Sequence, residues 1–268
     1  MRWGALVVGT LFFGVGCDGS RRPVSVQPAT AEVRSVEKLP ATVAAIPAVA
    51  SDARVPVVVE LFSSEGCSSC PPADEALREL DESQPIEGVE VIPLEMHVDY
   101  WNDLGWADPW SSPSYSARQQ GYSANAHRQG VFTPEAIVDG GASIVGSDRP
   151  GLANLIHDAA QHKHVAVAVA PVGNKVRVSL GNDVPSGATL WLALTEPNLE
   201  SHVLAGENRG RTLRHSPVVR SLTRVGDAAP GAVEIDPGFP PDAQKARVVA
   251  FVEARADGGI IGAASAMR

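Results

Sequence analysis

Cys67-Ser68-Ser69-Cys70, followed at once by Pro71-Pro72, has residue types and spacing suited to electron transfer. Val55–Phe62 ahead of it is β-branched and nearly continuous, which predicts a buried strand, and Ala73–Leu80 behind it predicts a helix. A C-x-x-C between a strand and a helix is the arrangement of a dithiol redox site. Two cysteines three apart in a first helical turn share a face and can close a disulfide. At a helix N-terminus, free N–H groups and the macrodipole favour an anion, so Cys67 is expected as the nucleophilic thiolate and Cys70 as the shielded, resolving thiol. The Ser68 and Ser69 hydroxyls support that thiolate; Glu65, Asp74 and Glu75 oppose it. Pro71 is tolerated because a first-turn N–H has no intrahelical partner. The competing reading is an inert disulfide, but so short a loop removes little entropy from the unfolded chain.

Other side chains can assist this centre. Glu60 ends the strand feeding Cys67, offset by about one residue from where a proton relay to the resolving cysteine is expected, and such an offset flips the face of a strand. His97 and Asp99 share a strand face and can form a His–carboxylate pair near the dithiol or an anchor for the segment that follows. Trp101, Trp106 and Trp110 can line a peptide groove or pack that segment. Cys67, Cys70 and His97 make only three zinc ligands with no convincing fourth, so neither metal nor cofactor is expected. His162-Lys163-His164 suits a negative helix end.

The positioning elements lie in a chain of 268 residues, 44% hydrophobic, with net charge −9. That length supports two modest cores, and no basic stripe suggests a nucleic-acid partner. Arg2, the apolar run Trp3–Val15 and Gly14-Val15-Gly16-Cys17 resemble a bacterial lipoprotein signal, which implies acylation of Cys17 and export. The alternative is an ordinary cleaved signal peptide. Either places the chain in the cell envelope or periplasm, where disulfides persist. Residues 18–54 lack periodicity and read as a flexible tether spanning on the order of 30–40 Å.

Residues 55–164 then run strand, dithiol helix, strand (Val89–Val98), irregular helical insertion (99–130), Thr133-Pro134, hairpin and amphipathic helix (Arg149–His164). Residues 165–268 change to period two. Val165–Ala170, Lys175–Leu180, Ala188–Thr195, Val218–Val225 and Ala246–Ala254 predict an antiparallel β-sandwich-like domain. Gly206-Glu207-Asn208-Arg209-Gly210-Arg211 with His215 reads as a polar turn with solvated charges; the alternative is contact with the dithiol face.

The order of residues 55–164, with Cys67, Cys70 and Thr133-Pro134 before a strand and Asp139-Gly140, resembles an α/β thioredoxin-like domain with a helical insertion. That resemblance implies a cis peptide before Pro134 and a Thr133 backbone placed to pair with a substrate strand. Val59-Glu60-Leu61-Phe62, Gly66–Asp74, His97-Val98-Asp99-Tyr100-Trp101, Leu104-Gly105-Trp106 and Thr133-Pro134 further resemble the exported bacterial domain-of-unknown-function family twelve-twenty-three, over roughly residues 54–265. The resemblance implies fold and broad class but no substrate.

Two functions compete. One is an envelope thiol–disulfide oxidoreductase acting on disulfide-containing or dithiol proteins, with an unidentified redox partner. The other is a non-catalytic scaffold or binding lipoprotein. Accessibility discriminates them: a cysteine partly exposed beside Pro134 favours the enzyme, and both buried under the tryptophan segment favours the scaffold.

Overall fold

The computed structural model describes residues 35–39, 54–162, 164–215, 217–239, 245–255 and 258–268. The signal segment and Cys17 lie outside the described residues. Ser35–Lys38, within the segment read as a tether, forms strand β1.

The first half of the fold is β2 (Val55–Ser63), α1 (Pro71–Ser83), β3 (Val89–His97), a 3₁₀ turn (Asn102–Leu104), α2 (Pro113–Asn125), β4 (Glu135–Val138), β5 (Ala142–Val145) and α3 (Arg149–Ala159). The described remainder is strands: β6 (Val167–Val172), β7 (Lys175–Leu180), β8 (Thr189–Glu196), β9 (Leu199–His202), β10 (Thr212–His215), β11 (Val218–Asp227), β12 (Gly231–Asp236), β13 (Arg247–Glu253) and β14 (Ile260–Met267). Among the described residues, no helix is long and apolar enough to cross a membrane.

The expected α/β thioredoxin-like domain followed by a β-sandwich is not what forms. The chain is mostly β, and an eight-stranded mixed sheet, ordered β14-β13-β8-β11-β3-β2-β4-β5, draws strands from both halves. The reason lies at β3. Its free edge accepts β11 in parallel, at Val218–Glu95, with Glu95 N–H donating to Pro217 O (3.0 Å). β8, β13 and β14 then extend the sheet antiparallel. A second sheet, β1-β12-β7-β6, and the pair β10-β9 complete the strand pairing.

Strand alternation builds the cores. Val58 and Phe62 of β2, Ile92, Leu94 and Met96 of β3, and Phe251 of β13 share one face of the large sheet with Tyr115 and Tyr122 of α2. On the other face, Val57, Val59 and Leu61 pack under Leu77 of α1 and Ile156 of α3. Farther along, Leu192, Leu194 and Val248 meet Val176, Val178 and Ile235 of the four-stranded sheet. Burying each such side chain contributes roughly 1.5–3 kcal/mol.

Candidate functional site

Helix α1 begins at Pro71, with Pro71 and Pro72 in first positions that need no N–H and Cys70 as the N-cap. Cys67 therefore sits one turn ahead of the helix rather than in its first turn, which corrects the expected placement. Cys67 N–H donates to Ser64 O (3.1 Å), Cys70 N–H to Cys67 O (3.2 Å), and Asp74 N–H to Cys70 O (3.1 Å), so the loop winds into the helix through consecutive turns. Cys67 and Cys70 are joined in a disulfide, with Cα atoms 5.4 Å apart. Ser69 Oγ lies 3.4 Å from Cys67 Sγ. Sulfurs paired this way are not thiolates, so the three-ligand zinc set with His97 does not form.

Both cysteines are 0% exposed, while Ser68 and Ser69 between them face solvent. By accessibility alone this matches the scaffold arm. Part of the cover comes from the polar 206–211 loop. The buried Asn208 Nδ2 donates to Glu65 O and to Cys67 O, both at 2.9 Å, and Glu207 Oε2 accepts from Ser68 N–H at 3.0 Å. Trp101 also lies against the loop: a Cβ on Gly66 would stand 3.2 Å from Trp101 Cβ. Trp101 Nε1 donates to Thr133 Oγ1 (2.9 Å). The Thr133–Pro134 peptide is cis. β4 starts one residue later, at Glu135, paired with Phe62. Thr133 and Pro134 thus stand at the end of β2 from which the cysteine loop departs.

Beneath the loop lies a cluster of buried ionisable groups. Glu95 and His97 alternate on the face of β3 turned to α1; Asp74 projects from α1, His215 from β10, and Glu65 and Asp108 from the flanking loops. Glu95 Oε1 is 2.7 Å from His215 Nδ1 and 3.1 Å from His97 Nε2. His97 Nδ1 is 2.7 Å from Asp108 Oδ2, which also accepts from Glu65 N–H (2.8 Å). Asp74 Oδ1 accepts from Ser63 Oγ (2.5 Å), and its Oδ2 lies 3.9 Å from His215 Nδ1. Trp106 Nε1 donates to Glu65 Oε2 (2.7 Å). The other oxygen, Glu65 Oε1, is 3.3 Å from His215 Nε2, yet the two are not aligned as a hydrogen bond and neither has another partner.

Burial and charge compete throughout the cluster. Burial, then the negative charge of Glu95, push the Asp74 carboxyl up to about 7. Burial opposes ionisation of Glu95, but the charge and hydrogen bonds of His215 and His97 outweigh it and hold Glu95 down at about 2. Burial likewise disfavours both imidazolium forms and is overcome: Asp108 and Glu95 raise His97 well above its usual range, and Glu95 and Glu65 raise His215 to about 10.

Other candidates are placed elsewhere. Glu60 points to the opposite face of the sheet, where Arg118 Nε donates to its Oε1 (2.5 Å) and Tyr122 donates to its Oε2. Asp99 does not pair with His97; it accepts from Ser116 Oγ (2.5 Å). Trp110 Nε1 donates to Ser201 Oγ (3.0 Å), so each tryptophan indole of the 99–110 segment ties it to a different partner. Sequence reasoning missed Glu95, Asp108 and His215 as a group. The available signal was two ionisable residues at alternate positions near the end of an otherwise apolar strand, Leu94-Glu95-Met96-His97-Val98. Burying them requires partners.

Residues 58–253 match the family described as "Protein of unknown function (DUF1223)", and the chain belongs to that family. Comparison with curated proteins finds no match. Among solved structures, the crystal structure of protein AGR_C_4864 from Agrobacterium tumefaciens is similar. It is 29% identical with a TM-score of 0.65, covering 81% of this chain and 95% of that one.

Proposed function

We propose that the chain is a thiol–disulfide oxidoreductase of the cell envelope, held there by a lipid on Cys17. The observation that carries this reading is the Cys67–Cys70 disulfide itself, at the start of α1 with the exposed Ser68-Ser69 turn between its sulfurs. It rests on the site rather than on fold class. In the oxidising direction, a substrate thiolate attacks Cys67 sulfur and Cys70 leaves as a thiolate. A second substrate thiolate then attacks the substrate sulfur of the mixed disulfide and expels Cys67, so two electrons pass to this protein. Reduction of a substrate runs the same steps backwards. Ser69 Oγ is placed to donate to the Cys67 thiolate, and Thr133 and Pro134 are the residues assigned to position the substrate chain. The partners are disulfide-containing or dithiol envelope proteins. Because both sulfurs are covered, exchange requires the contacts of Glu207 and Asn208 to part.

Full burial of both cysteines is the specific observation that favours a second reading, a scaffold with an inert disulfide. Trapping separates the two. Cys70→Ser should accumulate dithiothreitol-sensitive mixed disulfides with envelope proteins, and Cys67→Ser far fewer. Equal trapping by both variants would contradict the assigned roles. No trapping by either, with a wild-type disulfide that survives strongly reducing glutathione poise, would establish the scaffold.

A further inference from the structure

We propose that Asp74, Glu95, His97 and His215 form an enclosed binding site for a divalent transition metal of the zinc type. Three ligands, Glu95 and His97 at the end of β3 and His215 at the end of β10, are already gathered, and Asp74 of α1 approaches as the fourth. Glu95 Oε1 is 3.1 Å from His97 Nε2 and 2.7 Å from His215 Nδ1, and Asp74 Oδ2 is 3.9 Å from His215 Nδ1. Donor atoms around a tetrahedral zinc stand roughly 3.3 Å apart, given metal–ligand bonds of about 2.0–2.1 Å. The glutamate and both imidazole donors lie within 4.8 Å of one another, and all three residues are buried. Two imidazoles with carboxylates select zinc-type ions over magnesium or calcium, which prefer all-oxygen shells.

Two observations argue for a metal over a plain buried ion-pair network. The first is the use of both nitrogens on each ring. His97 turns Nε2 towards Glu95 and Nδ1 towards Asp108; His215 turns Nδ1 towards Glu95 and Nε2 towards Glu65. One nitrogen faces the centre and the other faces a carboxylate, which is how metal-ligating histidines are held in one tautomer and orientation. The second is a loosely held pair. Glu65 Oε1 and His215 Nε2 are wholly buried and 3.3 Å apart as an ion pair without an aligned hydrogen bond. Buried polar atoms are usually held in aligned hydrogen bonds. A metal on Nδ1 fixes the proton of His215 on Nε2, facing Glu65 Oε1. Four protein ligands and complete enclosure describe a structural rather than a catalytic site.

This site uses no sulfur ligand and does not depend on the redox reading. The test uses the full chain with its disulfide intact, unfolded and refolded with Zn²⁺ or Co²⁺ because the site is closed to solvent. About one ion per chain should be retained, the cobalt form should show tetrahedral visible bands without a thiolate charge-transfer band, and zinc should raise the melting temperature over chelator-treated protein. His97→Gln and His215→Asn should weaken affinity by more than about 100-fold, Glu65→Gln and Asp108→Asn by about 10–100-fold, and exposed His202→Asn not at all. Should the ligand variants fail to fold, the wild-type cobalt spectrum and melting shift decide alone. No retained metal with no melting shift, metal retained unchanged in every folded ligand variant, or a cobalt–thiolate band would each overturn the proposal.

Discussion

The large sheet buries charge on both faces, and the two clusters use different cations. On the α2 side the cation is Arg118. It donates to both oxygens of Glu60 and to Glu253 Oε2 (2.9 Å), and its guanidinium carbon lies 5.1 Å from the Trp191 ring centre and 5.3 Å from that of Phe251. A guanidinium has donors only, in a rigid fork, and no lone pair for an ion. On the α1 side the cations are imidazolium groups, which, unlike a guanidinium, regain a nitrogen lone pair on losing a proton, and both nitrogens of each ring face carboxylates. In the first cluster Glu60 meets Arg118 and Tyr122 through aligned hydrogen bonds, although Trp191 Nε1 beside them has none; in the second, Glu65 and His215 face each other misaligned. Burial does not separate them, since Glu60 and Glu95 are both 0% exposed. The chemistry of the cation does.

The largest effect should come from Arg118→Met, which strands Glu60 in the core. Urea unfolding should show a loss of about 3–5 kcal/mol, most of it recovered in the double variant Glu60→Leu/Arg118→Met. A single-variant loss under about 1 kcal/mol would mean that the pair is solvated. Glu95→Gln keeps an oxygen between the two histidines but removes its charge, and should cost about 2–3 kcal/mol by the same measurement. If metal holds that face, the variant should also lose the stability difference between zinc and chelator, which Arg118→Met should retain.

Asn208→Ala should cost about 1–2 kcal/mol by removing two buried hydrogen bonds from the cysteine loop. The disulfide should then be reduced by dithiothreitol about tenfold faster, since 1.4 kcal/mol is tenfold in an opening equilibrium. An unchanged rate would show that this loop does not limit access.

The effect that grows with pH belongs to Asp139, at the hairpin joining β4 to β5. Its Oδ1 accepts from Val58 N–H (2.8 Å), and burial pushes its carboxyl from 3.8 up to about 7. Folding therefore holds a proton that the unfolded chain gives up, and stability falls as pH rises from about 4 to about 7, then levels off. Asp139→Asn keeps an acceptor and removes the ionisation. Its advantage over wild type should be absent near pH 4 and fully developed above about 7. Parallel melting profiles for the two proteins would contradict this.

How much of this was legible in the sequence follows the range of the interactions. The strand before Cys67, the helix after Cys70 and the hairpin after Pro134 are set by neighbouring residues, and apolar periodicity with turn chemistry reveals them. Glu60 shows the limit of register. Its one-residue offset was visible, and alternation duly sends it to the face away from α1. The fold class was not legible, because the junction that merges both halves into one sheet is the single parallel pairing of Val218 with Glu95. Nothing local encodes which strand will occupy a free edge. The buried cluster has the same character: Glu95 and His97 are neighbours on a strand, but Asp108 and His215 reach them only through tertiary contact.

The clasp of Asn208 on the cysteine loop also fixes an order of events. The amide that caps Cys67 lies 141 residues downstream of it in the chain. A chain made N-terminus first presents Ser64–Cys70 long before that amide arrives. Through that interval both thiols are open to whatever oxidant meets them. Pairing of Cys67 with Cys70 can therefore precede the cover, with no opening of the finished fold.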